Sequence, residues 1–433
     1  MQTDLLIRRF LDGENDDRLA DIYVDETKIL YQRDRYINAI KKFEQCYGPD
    51  DVVLFSAPGR SEIGGNHTDH QHGEVLAASV NLDTIGVVKQ TKDNVIRVLS
   101  DNYDEIMIPL DDVSVKEEEK ETTKALIKGV VSGFLERNYK VGGFQAYITS
   151  DVLIGAGLSS SAAFETLIGT ILSGLYNDGK VSATEIAIIG QYAENVYFGK
   201  PCGLMDQMAS ATGNLVHIDF YDPASPKVEK IDFNMEEHGY RLCITDTKGS
   251  HADLTDEYAA IPKEMKQVAG HFGKEVLCDI TAADVLKEIH ALREKFGDRS
   301  VLRALHFICE NERVEKEVRA LKAGDLEAFL KNIKASGDSS FKYLQNVYSN
   351  QDIKNQNVSV ALLVSEMLLG ENGVCRVHGG GFAGTIQAFV KSEYVDSYKE
   401  GMDQVFGKDA CKDLRIRKYG GIKVLYKRKK ALL

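Results

Sequence analysis

Proline is scarce in this chain, seven among 433 residues and none clustered, and no internal repeat or low-complexity linker breaks it up. The seven cysteines (46, 202, 243, 278, 309, 375 and 411) are odd in number and show no CxxC spacing. That excludes a disulfide framework and a zinc site of the usual spacing. No apolar run reaches the roughly 18 residues that a membrane-spanning helix needs. Basic residues are in deficit: 53 Lys and Arg against 66 Asp and Glu give a formal charge of −13. General affinity for nucleic acid or anionic membranes is therefore not expected, although a local basic pocket is compatible with the balance. The first residues, MQTDLLIRRFLDGENDD, are charged and amphipathic, unlike a signal peptide. A cytoplasmic enzyme is the expectation.

What the chain has is an ordinary globular composition, 43% apolar and 27% charged. Its length suggests two or three domains with a core large enough to need no staples. Residues 1–46 read as two amphipathic helices, the second over 28–43. DVVLFSAP (51–58) reads as a strand entering a polar, Gly-rich loop, GRSEIGGNHTDHQHG (59–73). Strand-like runs follow (VLAASV, TIGVVKQ, VIRVLS, IMIPL), then a solvated stretch over 111–124, a helix over 126–137 and a strand over 142–150. Helical spacing returns after residue 160 and over 183–199, and strands are expected at 214–219 and 240–245. Residues 252–370 read as mostly helical. The fold class is α+β, with a boundary between 215 and 235.

Four stretches carry chemistry. GAGLSSSA (155–162) joins a strand to a long helix. Glycines allow an anion close to the backbone, and a helix N-terminus adds partial positive charge. The same letters also suit a Ser-capped turn, and the Walker pattern GxxxxGKS/T is absent. HGGGFAG (378–384) matches GxGxxG by letter, but strand-like TIQAFV follows where a dinucleotide site needs a helix, so a glycine hairpin is expected. The 59–73 loop gathers His67, His70, His72 and Asp69 beside Arg60. A metal reading lacks helical ligand geometry. A sugar or phosphate reading uses Arg60 as a fixed cation and Asp69 as an acceptor for hydroxyls. GKPCGLMDQMAS (199–210) sets Asp206 among apolar neighbours, where a carboxylate needs a partner such as Arg; a helix-capping Asp is the other reading.

In order and rough spacing, APGRSEIGGNHTDH, GAGLSSSA, GLMDQ and HGGGFAG resemble the galactokinases, within the wider group of galactose, homoserine, mevalonate and phosphomevalonate kinases. The resemblance runs from about residue 30 to the end. It implies two α+β domains (1–220 and 221–433) with the active site in the cleft between them, and transfer of the ATP γ-phosphoryl group to the anomeric hydroxyl of a sugar. Carried over, Asp206 is the base and Arg60 keeps it ionised. Gly155, Gly157, Leu158, Ser159, Ser160 and Ser161 cradle ATP, and Ser160 with Glu194 holds Mg²⁺. Asn66, His67, Asp69, Gly203 and Tyr258 form the sugar pocket. The expected partners are ATP and a small sugar, with no nucleic acid or membrane and a monomer or weak homodimer.

The chain departs from the family at the sugar loop. Galactokinases usually read GRxNLIGEHTDY; here Asn66 replaces the Glu and Glu62 stands at the usual Asn. The family Glu contacts the 6-hydroxyl of galactose. A neutral Asn also tolerates a 6-carboxylate, so a galacturonate kinase is the alternative to galactokinase. A non-catalytic sugar-sensing regulator is disfavoured because GLSSSA, Arg60, Glu194 and Asp206 are all present. A kinase for a non-sugar alcohol is disfavoured by HTDH and MDQ together. No function follows from the first 30 residues.

Overall fold

A computed structural model of the chain describes residues 1–101, 103–152, 157–249 and 254–425. Helices α1 (Thr3–Leu11), α2 (Asp16–Tyr23) and α3 (Ile29–Tyr47) lead into strands β1 (Val53–Gly64), β2 (Glu74–Gln90), β3 (Val95–Ser100) and β4 (Ile106–Pro109). Helix α4 (Thr123–Glu136), β5 (Phe144–Ser150), α5 (Ser160–Tyr176), α6 (Ala183–Tyr192), α7 (Met205–Thr212), β6 (Leu215–Asp219) and β7 (Lys227–Ile231) complete the first half. The second half opens with β8 (Tyr240–Asp246). Six helices follow: α8 (Thr255–His271), α9 (Ala282–Lys287), α10 (Ile289–Phe296), α11 (Asp298–Ala323), α12 (Leu326–Ser339) and α13 (Asn357–Leu369). It ends with β9 (Gly373–His378), β10 (Thr385–Lys391), α14 (Val395–Phe406), β11 (Cys411–Leu414) and β12 (Ile422–Lys423). Among the described residues no helix is long and apolar enough to cross a membrane.

Two sheets organise these elements. The larger runs β12-β1-β2-β5-β3-β4, with β6 and β7 branching from β2; the smaller runs β11-β8-β10-β9. The long β2 shows how side-chain alternation serves several cores at once. Val75, Ala77 and Val88 face the cluster beneath α4–α7, Leu76, Ala78 and Val80 face the cluster shared with α11 and α12, and Ile85 and Val87 face the N-terminal helices. Strand pairing crosses the expected 220/221 division twice. Strand β7 pairs with β6, and β12 returns to β1.

Three local expectations change. The N-terminal segment forms three helices, not two. The runs VLAASV and TIGVVKQ belong to one strand, β2. Strand β1 continues through Arg60 and Glu62 to Gly64, so the loop begins at residue 65 and not 59. Its polar letters read as loop because their partners lie far away in sequence; two register irregularities, after Pro58 and after Glu62, fit the segment onto β2. GxGxxG forms the turn of the antiparallel β9–β10 hairpin, with Thr385 opposite His378.

A buried ionic knot fastens α2 and α3 to the sheet. Asp83 accepts from Arg35 Nη1 (2.5 Å), Arg417 Nη1 (2.8 Å) and Tyr23 Oη (2.8 Å), and also from Ser56 Oγ. Asp151 lies 3.1 Å from Arg35 and balances the second arginine charge. Burial works against ionised Asp83, but Arg35 and Arg417 outweigh it and hold its pKa below the usual carboxylate range. Asp83→Ala is expected to cost about 3–5 kcal/mol in denaturant unfolding, because two buried guanidinium groups lose their partner. A depressed folded pKa means this stabilisation is full above the ordinary carboxylate range and is lost as pH falls through the folded value. The wild type should therefore weaken on acidification more than the variant does.

Candidate active site

Arg60, on β1, is one anchor of the site. Its Nε donates to Asp206 Oδ1 and its Nη2 to Asp206 Oδ2, both at 2.6 Å, a bidentate fork. Asp206 sits in the first turn of α7, and Ser159 Oγ donates to its Oδ2 at 2.7 Å. Arg60 Nη1 donates to the Gly157 carbonyl, and the Arg60 amide donates to the Leu158 carbonyl at 3.0 Å. The Gly/Ser turn is thus tied to the arginine through both its backbone and a side chain. Burial alone would raise the Asp206 pKa, but the Arg60 charge and hydrogen bonds, with Ser159, hold it below the usual range. The carboxylate is ionised at neutral pH while still about a quarter exposed.

The Gly/Ser turn depends on unusual backbone. Ser159 (φ 55°) and Gly157 (φ 68°) are both left-handed, and Ser160 opens α5. A Cβ on Gly157 would lie 2.8 Å from Thr385 Oγ1 and 3.0 Å from His378 Nδ1, so the β9–β10 hairpin packs against this turn. His378 Nε2 accepts from the Glu62 amide at 3.3 Å, leaving Nδ1–H to face Thr385 Oγ1 at 2.9 Å. Of the expected ATP residues, Leu158, Ser159, Ser160 and Ser161 stand with Gly157 at the start of α5, while Gly155 lies outside the described residues.

Glu194 lies in a single π-helical turn, Ala193–Phe198, that continues α6. Such turns commonly mark functional positions. The serine in hydrogen-bond contact with Glu194 is Ser161 (3.2 Å to Oε1), where Ser160 was expected. Gln207 Nε2 bridges Glu194 (2.8 Å) and the fully buried Glu165 (3.0 Å). Burial, with the Glu194 and Asp206 charges nearby, raises the Glu165 pKa well above the ordinary value. Among the described residues no group of three or more His, Cys, Asp or Glu could hold a metal ion. A carboxylate beside a serine hydroxyl nevertheless suits Mg²⁺, which takes few protein oxygens and relies on water and phosphate for the rest.

The 65–73 loop brings Asp69 close enough to Asp206 for their charges to interact. Asp69 Oδ1 accepts from the His70 amide at 2.8 Å. Its Oδ2 lies so close to the Gly203 Cα that any side chain there would collide with it. Burial raises the Asp69 pKa, and the nearby Asp206 charge adds to the effect. His67 (φ 60°) contacts the Gly380 carbonyl through Nε2 at 3.1 Å, and burial lowers its pKa to about 4. Tyr258 donates to the Gly381 carbonyl at 2.7 Å and lies against Gly380. The structure thus brings His67 and Tyr258 to the Gly-rich hairpin and sets Asp69 against Gly203.

Asn66 is the exception. Expected to meet the sugar, it is fully buried and its carboxamide is committed to protein groups. Nδ2 donates to Glu62 Oε1 (3.0 Å) and the Gly379 carbonyl (2.7 Å); Oδ1 accepts from Ser340 Oγ (3.1 Å) and Asn346 Nδ2 (2.9 Å). Sequence reasoning missed this layer beneath the loop: Glu62 paired with Arg376 at 2.6 Å, His306 and Glu310 on α11, and Glu317 against Gly64. Arg376 and Glu62 stood within recognised motifs or beside them, but nothing in the spacing of the α11 residues pointed here.

Residues 125–214 match the GHMP kinases N terminal domain, and residues 41–90 match the galactokinase galactose-binding signature. Similar relatives include the galactokinase of Actinobacillus pleuropneumoniae serotype 3 (33% identical over 364 residues, 83% of this chain and 90% of that one). The galactokinase of Streptomyces coelicolor is 29% identical over 378 residues, 87% and 94% of the two chains. The crystal structure of Lactococcus lactis galactokinase complexed with galactose has a TM-score of 0.74 at 24% identity, over 88% of this chain and 98% of that one. Methanococcus jannaschii mevalonate kinase gives 0.59 at 15% identity, over 84% and 98%. The fold is therefore that of the GHMP kinases. Given the signature and a relative one-third identical over most of both chains, the chain belongs to the galactokinase family.

Glu317 supplies a test of the layer beneath the loop. It is fully buried, and neither carboxyl oxygen has a hydrogen-bond partner. Burial, with Glu310 nearby, raises its pKa well above the ordinary value. A raised folded pKa weakens the protein as pH climbs from the unfolded value toward the folded one. Glu317→Met should be more stable than wild type at neutral pH, by about 1–3 kcal/mol in urea unfolding, and less sensitive to rising pH.

Proposed function

We propose that the protein transfers the γ-phosphoryl group of ATP to the 1-hydroxyl of galactose. The observation that carries this reading is the Asp206 carboxylate, forked by Arg60 and touched by Ser159, between the Gly/Ser turn and Asp69. In this reading the turn from Gly157 to Ser161 cradles the triphosphate with help from the N-terminus of α5. Asp69 accepts ring hydroxyls, His67 and Tyr258 wall the sugar, and Gly203 gives Asp69 room. Asp206 takes the proton from the 1-hydroxyl as its oxygen bonds to the γ-phosphorus and ADP departs. Arg60 keeps Asp206 ionised and neutralises charge on the transferring group. Glu194 and Ser161 would hold Mg²⁺, which supplies charge neutralisation on the phosphates when bound. The chain acts as two domains on either side of this cleft, divided near residue 220 except that β7 and β12 complete the sheet of the first.

The galacturonate alternative rested on a neutral side chain at position 66. Asn66 is buried and its amide donors already meet Glu62 and Gly379, so it offers no spare donor to a 6-carboxylate.

The direct test is ATP-dependent 1-phosphate formation with galactose, galacturonate, N-acetylgalactosamine and glucose side by side. Galactose should be turned over fastest; failure to phosphorylate it would overturn the reading. Asp206→Asn keeps the shape and removes the base, so kcat should fall about 10²- to 10⁴-fold with KM for ATP little changed. Because Asp206 is held below the usual carboxylate range, wild-type kcat at saturating galactose should stay flat down to that range and fall only below it.

A further inference from the structure

Every polar group of Asn66 is held by the protein, most of them from the second half of the chain. Its amide and the Gly65 amide both donate to Glu310 Oε1 at 3.3 Å. Its carbonyl accepts from His306 Nε2 at 3.0 Å. Its side chain meets Ser340, Asn346, the Gly379 carbonyl and Glu62. His306 and Glu310 stand one turn apart on α11, so both face the same way. Both are fully buried.

Each of the two is itself fixed. Arg313 Nε donates to Glu310 Oε2 at 2.7 Å, and Ser336 Oγ donates to Oε1. Burial opposes the Glu310 charge, but the Arg313 and Arg376 charges and the Ser336 hydrogen bond outweigh it and hold its pKa below the usual carboxylate range. His306 is neutral, kept so by burial. With Nε2–H given to Asn66, its Nδ1 accepts from Ser339 Oγ at 2.9 Å.

The gripped peptides are poor at holding their own shape. Gly65 (φ 87°) and His67 (φ 60°) flank Asn66 in left-handed conformations, and Asp69 follows two residues after His67. Such backbone persists when its surroundings fix it. An ionised acceptor on two successive amides, with a donor on the next carbonyl, is a fixing of that kind.

We propose that Glu310 and His306 are positioning residues for the sugar: they clamp the Gly65–Asn66 peptides from α11 and thereby set His67 and Asp69. This rests on the sugar-loop reading above. The residues touch no reacting atom, and the nucleotide side of the cleft is fixed separately through Arg60, so their removal acts on the sugar and not on ATP.

The test compares wild type with Glu310→Met, Glu310→Gln, His306→Gln and Glu315→Gln, the last a change at an exposed carboxyl of the same helix. Glu310→Met should raise KM for galactose about tenfold or more, through lost hydrogen bonds to a charged group, with KM for ATP within about twofold. Glu310→Gln keeps a carbonyl acceptor and should recover part of the loss; Glu315→Gln should leave both constants unchanged. Hydrogen exchange at the Gly65 and Asn66 amides gives a readout independent of turnover. Both should be protected in wild type and exchange faster in Glu310→Met and His306→Gln, with α5 unaffected. Equal rises in both KM values, or unchanged exchange at 65 and 66 in folded variants, would overturn the clamp. A wild type that protects those amides but does not phosphorylate galactose would overturn the sugar reading and leave the clamp standing.

Discussion

The bidentate pair between Arg60 and Asp206 is the contact on which the site turns. It joins residues 146 apart in sequence, bringing the end of β1 to the start of α7. Each partner needs the other: a carboxylate in that apolar stretch would be raised toward neutrality by burial, and a buried guanidinium would lack a counter-charge. The same arginine also grips the Gly157 carbonyl, and Ser159 reaches back to Asp206. One cation therefore fixes the Asp206 carboxylate and the Gly/Ser turn in a single frame. For phosphoryl transfer, where the protein contributes mainly alignment and charge, such a frame is most of what is required.

That frame sits where three layers meet. Helices α4–α7 pack on one face of the large sheet and α1–α3 on the other, while α11 and α12 bridge to the small sheet. The Asp83 knot reaches from α2 and α3 through Arg35 to Asp151, the residue directly after β5. Helix α3 is thus fastened to the end of β5, in the chain segment that leads to the Gly/Ser turn. The small sheet approaches it from the opposite side through His378 and Thr385 against Gly157.

How much was legible in the sequence follows from the range of the forces involved. Helices with long apolar stripes, and strands such as β3 and β5, appeared where periodicity put them. Arg60, Asp69, Ser159 and Asp206 stood out in short runs of concentrated chemistry, and Glu194 through the family resemblance; the structure brings Arg60, Ser159 and Asp206 into contact. What escaped was polar and distant. The continuation of β1 through Arg60 and Glu62 looked like loop because its buried polar groups are satisfied by residues more than 300 positions away, such as Arg376 and His378. Glu310 lies 245 residues from Gly65 and reads locally as one more charge on an amphipathic helix. The choice between Ser160 and Ser161 depends on a few ångströms of helix geometry that neighbouring identical letters do not encode.

The departure at positions 62 and 66 takes on a different meaning in the fold. Set against the usual family pattern, Glu and Asn have exchanged places four residues apart. The two side chains remain hydrogen-bonded, Asn66 Nδ2 to Glu62 Oε1, so the carboxylate–carboxamide pair survives the exchange. What moves is the charge. At position 62 it lies against Arg376, although burial still pushes its pKa up to about 6. At position 66 a carboxylate would stand beside Ser340, Asn346 and the Gly379 carbonyl, and the last of these repels it. Position 66 is therefore shaped by the clamp from α11 and the Gly-rich hairpin. A substrate's charge preference does not follow from that letter alone, because the loop's negative charge has been relocated onto a buried arginine and not removed.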